Sequence, residues 1–187
     1  MKVIETRLPG VVVVEPRVFR DDRGYFLETW SDAAYGPAKL PTRFLQDNLS
    51  FSAVGVLRGL HYQFPTAQGK LVSVTRGEVF DVAVDVRVGS PTFGQWVGET
   101  LNAENGRQLF IPEGFAHGFL VTGTEPASFA YKCTEEYDPT GQCSVLWDDP
   151  DIGIVWPAAA PLLSPKDRDA PRLRDIGEDR LPRHTPS

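Results

Sequence analysis

Lys70-Leu71-Val72-Ser73-Val74-Thr75-Arg76-Gly77-Glu78-Val79-Phe80-Asp81-Val82-Ala83-Val84-Asp85-Val86 is the stretch that decides the fold. Two apolar, largely β-branched runs, 70–74 and 78–86, flank Thr75-Arg76-Gly77, which reads as a hairpin turn between two strands. The same pattern continues along the chain. Residues 95–101 and 107–111 flank 102–106, which ends in Asn105-Gly106, a strong hairpin signal. Further short runs lie at 11–14, 25–30, 119–122, 127–133, 144–147 and 152–156, separated by spread-out glycine and proline. No long 3.6-residue periodicity competes with them, although 31–40 could hold a short helix. Short strands with regular turn signals predict an all-β protein, an antiparallel sandwich or barrel.

The bulk numbers set limits on function. A chain of 187 residues predicts a single domain over 1–187, large enough for a substantial core. The charged, Pro-rich end predicts a flexible tail from about residue 179. No apolar run approaches the roughly 20 residues that span a bilayer, and the N-terminus lacks a long apolar segment, so the expected location is the cytoplasm. A net charge of −6 argues against nucleic acid as a partner. An anionic small molecule is still compatible with it, because a local cluster of Arg and Lys overrides the global sign. Cys133 and Cys143 are expected as free thiols of a reducing compartment.

His61 lies in Val56-Leu57-Arg58-Gly59-Leu60-His61-Tyr62-Gln63, with Lys70 close behind, in a chain with three histidines. A group that exchanges a proton near neutral pH, flanked by cations, suits proton transfer on an anionic substrate. Other polar residues fall within the predicted strands. Gln46, Asn48 and Ser50 share one face by period 2. Asp81 and Asp85 interrupt an apolar strand, His117 follows Phe115-Ala116, and Tyr131 ends another strand. Each alone could be a solvated or satisfied strand residue. Together they are costly unless partnered or functional, and a barrel with a polar interior is a ligand pocket. A metal is not expected. Small barrels that bind one use His-x-His, and here Gln63 and Gly59 flank His61.

The chain resembles the dTDP-4-dehydrorhamnose 3,5-epimerase family of metal-free, cupin-fold isomerases. The matching segments run from Phe19-Arg20-Asp21-Asp22-Arg23-Gly24-Tyr25-Phe26-Leu27-Glu28 through 44–50, 55–63, 69–72, 77–87, 90–96 and 111–119 to Tyr131-Lys132-Cys133 and Leu163-Ser164-Pro165-Lys166-Asp167. The resemblance implies a jelly-roll barrel that inverts two carbons flanking the ketone of a dTDP-linked 4-keto-6-deoxyhexose, without a cofactor. It implies His61 as the base, Asp167 as the carboxylate that orients it, Lys70 beside the enolate oxygen and Tyr131 as the acid on the opposite face. Arg58 would hold the diphosphate. Asp81 would support the charge near Lys70, and His117, Gln46, Asn48 and Ser50 would line the pocket. Phe19, Arg23, Phe26 and Glu28 would reach the second subunit of a homodimer by exchange of the N-terminal strands. Three alternatives stay open: a relative that acts on one carbon only or moves the keto group, a silent sugar-nucleotide-binding cupin, and a metal-dependent cupin oxygenase.

Overall fold

The structure is a computed structural model and describes residues 1–185. Its strands are β1 (Lys2–Glu5), β2 (Val12–Glu15), β3 (Val18–Asp21), β4 (Gly24–Leu27), β5 (Gln46–Ser52), β6 (Leu57–Gln63), β7 (Lys70–Arg76), β8 (Glu78–Asp85), β9 (Trp96–Asn102), β10 (Gln108–Ile111), β11 (Phe115–Val121), β12 (Ala127–Cys133) and β13 (Gln142–Ser144). Six form one antiparallel sheet in the order β1-β2-β10-β7-β12-β5. Five form a second in the order β13-β6-β11-β8-β9, and β3 and β4 pair only with each other. The expected all-β sandwich is what the chain forms.

Both predicted hairpins are corners between the sheets instead. β7 lies in the six-stranded sheet and β8 in the five-stranded one, and β10 and β9 are divided in the same way. The turn chemistry itself is as expected. Gly77 takes φ +74°, and a Cβ there would lie 2.7 Å from the Pro126 carbonyl. At the other corner Asn102 Oδ1 accepts from the Asn105 main-chain N–H at 2.7 Å. Local chemistry reverses the chain, but the sheet that receives it is chosen by burial on both sides. β8 accordingly turns Val79 and Ala83 into the core between the sheets. It turns Val82 and Val84 into a second cluster under the C-terminal segment, with Leu60, Ile152 and Leu173.

That segment corrects a second expectation. The part of the proposed flexible tail within the described residues is docked. Leu181 is 4% exposed, the Val88 N–H donates to the Pro182 carbonyl at 2.8 Å, and the His184 N–H donates to Val88 at 3.0 Å. Residues 186–187 lie outside the described residues. The span 31–40 holds α1 (Asp32–Tyr35) and one 3₁₀ turn, and it covers Leu71 and Phe110 on the outer face of the six-stranded sheet.

Asp85 shows why a carboxylate can interrupt an apolar strand. It is fully buried and receives Arg87 Nε at 2.9 Å, Ser90 Oγ at 2.5 Å and Thr92 Oγ1 at 2.6 Å. Burial pushes its carboxyl up, but these donors together hold it below the ordinary value of 3.8. Because the folded pKa is depressed, the stabilisation is present above the unfolded value and lost as pH falls through the folded one. Asp85→Asn is expected to cost about 3 kcal/mol in urea unfolding at pH 7. The gap from the parent protein should close below about pH 3.8; a gap that is flat with pH would count against the ionised carboxylate.

Candidate active site

Arg58 and His61 are three residues apart on β6, so strict alternation would send them to opposite faces. The register shows how both reach one cavity. His61 pairs with His117 and Arg58 with Phe119, so three residues of β6 are spanned by two of β11. This is a bulge, and it re-aims a side chain. Gly59 sits inside it at φ +136°, and a Cβ there would fall 2.5 Å from the Gly118 Cα. Arg58, His61, His117, Lys70, Tyr131 and Asp167 therefore line one cavity of about 290 Å³ between the sheets, joined by Ser50 and Lys166. A second lobe of about 110 Å³ shares His61, Lys70 and Tyr131 and adds Gln46, Asn48 and Tyr137.

On the five-stranded wall, His61 Nε2 lies 2.6 Å from Asp167 Oδ1. Asp167 is the third residue of α2 (Pro165–Arg168), whose N-cap is Ser164. Ser164 Oγ donates to Asp167 Oδ2 at 2.8 Å and accepts from the Asp167 N–H at 3.2 Å. Asp167 is thus both a helix-start carboxylate and the partner of His61. Burial works to raise its carboxyl, but the hydrogen bonds from His61 and Ser164, with the charges of His61 and Lys166, hold it below the usual range. An ionised Asp167 accepts the Nε2–H and leaves the Nδ1 lone pair free.

On the six-stranded wall, Lys70, Tyr131 and Cys133 come from β7 and β12, where Cys133 is the register partner of Lys70. Burial pushes the Lys70 ammonium pKa down, with Cys133 and Asp81 opposing. Burial pushes the Tyr131 phenol up, Cys133 adds to the rise, and Arg58 works against it. Tyr131 therefore keeps its proton at neutral pH. Phe129 stacks on Phe119 at 4.1 Å and lies 5.9 Å from the ring of His117, and all three rings line the cavity.

Asp81 acts on Lys70 through charge but stands outside the cavity. It is fully buried and lies behind His117, whose Nε2 is 2.9 Å from Asp81 Oδ2. Asp81 does not line the cavity, because the ring of His117 lies between them. Burial raises its carboxyl against the pull of His117 and Lys70, so its influence on Lys70 passes through charge. Gln46 and Asn48 are hydrogen-bonded to each other at 2.8 Å in the smaller lobe.

Phe19, Arg23, Phe26 and Glu28 are not brought to this chain's own cavity. The first three belong to the separate β3–β4 hairpin, where Arg23 pairs with Asp21, and Glu28 accepts from Ser31 Oγ at 2.8 Å. Residues not singled out from sequence include Ser164, Lys166 and Tyr137. The Ser164-Pro165 pair has the residue types of a helix start, and in the structure it caps the turn that carries Asp167. Among the described residues no three His, Cys, Asp or Glu side chains gather as a metal site. His61 and His117 each face their own carboxylate instead.

A cavity with a paired histidine on one wall and a lysine and a tyrosine on the other can be compared with known proteins. The sequence model of the dTDP-4-dehydrorhamnose 3,5-epimerase family matches residues 5–175. The chain is 56% identical over 177 residues to the dTDP-4-dehydrorhamnose 3,5-epimerase of Pseudomonas aeruginosa, covering 94% of this chain and 97% of that one. A solved dTDP-6-deoxy-D-glucose-3,5-epimerase from Legionella pneumophila, in complex with dTDP-4-keto-L-rhamnose, is 50% identical. It superposes with a TM-score of 0.95 over 99% of both chains. A 3'-monoepimerase from Streptomyces bikiniensis, solved in complex with dTDP-quinovose, is 35% identical with a TM-score of 0.88, over 95% of this chain and 91% of that one. The cavity's residues thus sit in a fold and sequence shared along nearly the whole chain, and the protein belongs to the dTDP-4-dehydrorhamnose 3,5-epimerase family.

Proposed function

We propose that the protein is an isomerase that inverts C3 and C5 of dTDP-4-dehydro-6-deoxy-D-glucose, giving dTDP-4-dehydro-L-rhamnose for dTDP-L-rhamnose biosynthesis. The observation that carries this reading is the opposition of His61, backed by Asp167, to Tyr131 and Lys70 across one cavity. Inversion needs a base on one face of the sugar and an acid on the other, and the two sheets supply opposite walls. Packed sheets stand roughly 10 Å apart, room for one pyranose ring.

His61 Nδ1 takes the proton from the carbon beside the ketone, and the Nε2–H bond to Asp167 stabilises the imidazolium that forms. The electron pair moves onto the carbonyl oxygen, where the Lys70 ammonium meets the growing negative charge. Tyr131 returns a proton to the carbon from the other side. Arg58, whose Nε is fixed to Ser52 Oγ at 2.9 Å, binds the diphosphate with its outer nitrogens. At each carbon one proton is removed and one is added, His61 releasing its proton to solvent and Tyr131 regaining one from it, so no redox cofactor enters the balance.

A homodimer belongs to the same reading. The β3–β4 hairpin pairs with neither sheet and exposes Phe26 at 70%, while the edge strand β5 exposes Leu49 at 72% and Phe51 at 61%. Hairpin exchange would cover this apolar area and bring Arg23 to the partner's diphosphate. Among the described residues no helix is long and apolar enough to cross a membrane. Two unpaired cysteines support the cytoplasm as the location.

The likeness to a 3'-monoepimerase favours one competing reading, inversion at a single carbon. One experiment separates the two. The protein is incubated with dTDP-4-dehydro-6-deoxy-D-glucose in D₂O, and deuterium is followed at C3 and C5 by NMR. Uptake at both carbons is expected. Uptake at one carbon assigns the single-centre activity, and uptake at neither overturns the epimerase reading.

A further inference from the structure

We propose that Gln63 is a positioning residue that fixes the loop 135–138 at the mouth of the cavity, and through it sets how tightly the nucleotide sugar is held; the inference rests on the epimerase reading above. Gln63 lies two residues beyond His61 on β6 and is 5% exposed. Its side chain is spent on main-chain groups. Nε2 donates to the Thr66 carbonyl at 2.6 Å and to the Glu136 carbonyl at 3.1 Å, and Oε1 accepts from the Asp138 N–H at 2.9 Å.

Residues 135–138 follow β12 but belong to no strand, so their main-chain groups have no ladder to join. Glutamine side chains supply the missing partners. Gln68 Nε2 donates to the Glu135 carbonyl at 2.8 Å, and Gln46 Oε1 accepts from the Tyr137 N–H at 2.7 Å. With Gln63 on Glu136 and Asp138, four successive residues are each held by a carboxamide. A fourth glutamine, Gln142, accepts from the Tyr137 phenol at 2.8 Å.

The chemistry explains the choice of residue at 63. One uncharged group must donate to two carbonyls and accept from an N–H, and among side chains of this length only a carboxamide does both. What the frame holds is the ring of Tyr137. It is 52% exposed, borders the lobe that contains His61, Lys70 and Tyr131, and is tied at its main chain and at its hydroxyl. An aromatic side chain left half in solvent but fixed at both ends is a prepared contact surface, which lowers the cost of binding. It lies beside the reacting groups without bonding to any of them, so its orientation affects binding rather than proton transfer.

The test compares Gln63→Met, of similar length without the hydrogen bonds, with Gln63→Glu, which keeps the acceptor for Asp138 and loses both donors. Steady-state kinetics and deuterium uptake at saturating nucleotide sugar are measured for each, alone and in a Tyr137→Ala background. The expected result is a rise of roughly 10–100-fold in KM in both variants. Values of kcat and of uptake at saturation should stay within about threefold of the parent. In the Tyr137→Ala background the further rise should be less than about twofold, because the two changes disable the same loop. Unchanged KM in a folded variant overturns the inference, as does a fall in kcat that matches the rise in KM, or full multiplication of the two effects. If Gln63→Met does not fold, Gln63→Glu is judged by the same criteria, and failure of both to fold assigns Gln63 a purely structural role. An inactive parent protein overturns the epimerase reading and this inference with it. An active parent with unaltered variants overturns the role of Gln63 alone.

Discussion

Replacing His61 by alanine will remove deuterium uptake at both carbons beside the ketone, with a loss of at least ~10²–10⁴ in rate. The expectation follows from what remains on that wall. His117 is the register partner of His61, but its Nε2 is committed to Asp81 at 2.9 Å and the residue is 8% exposed. Lys70 and Tyr131 stand on the other sheet and cannot reach the same face. Asp167→Asn should follow in the same direction. An amide can present N–H to Nε2, which transfers the ring proton to Nδ1 and blocks the lone pair that would attack C–H. Uptake is measured by proton NMR at fixed enzyme concentration, with circular dichroism to show that each variant is folded. A folded His61→Ala protein that still exchanges both positions would remove His61 from the base role.

Tyr131→Phe should split two quantities that fall together in the first experiment. Removal of the proton by His61 does not use the phenol, so wash-in of deuterium persists, with the label returned to the original face. The inverted product needs a donor on the six-stranded wall, and its formation should drop by ~10²–10⁴. Burial holds the phenol protonated well past neutral pH, so Tyr131 itself should contribute no alkaline loss of inversion before pH 10, its ordinary value; a loss at lower pH that persists in Tyr131→Phe belongs to Lys70, whose ammonium burial pushes down. Equal losses of wash-in and of inverted product would assign Tyr131 to binding rather than to protonation.

How much of this was legible in the chain depends on the distance over which each signal acts. The strands of β5, β7, β8 and β12 were readable because alternation and β-branching act within a few residues, and Gln46, Asn48 and Ser50 do share the cavity side of β5. The two corners were misread as hairpins because Gly77 and Asn105-Gly106 determine that the chain turns, whereas membership of a sheet depends on strands far away in sequence. The pairing of His61 with Asp167 spans 106 residues and came only from the resemblance. Asp81 was expected to support the charge near Lys70, and the two are coupled by charge; that it does so from behind His117 was not legible, because alternation fixes a face and gives no depth. The docked end of the chain was hidden by its composition. Its charged and proline-rich stretch has Leu181 as its anchor, and one buried leucine does not alter a composition.

The bulge at Gly59 has a geometric consequence for how the cavity is dimensioned. Along a pleated strand, side chains on one face are separated by even numbers of residues, so the spacings available to a site built on one strand come in steps of roughly 6.6 Å. The extra residue breaks that parity. Arg58 and His61 share a face at an odd separation in sequence, because three residues of β6 are fitted opposite two of β11, a span of roughly 6.6 Å. The offset is held by main chain, since Gly59 and Gly118 touch where no side chain would fit. The anion-holding group and the proton-accepting group are therefore fixed to one rigid ruler, and no change of rotamer elsewhere can alter its length.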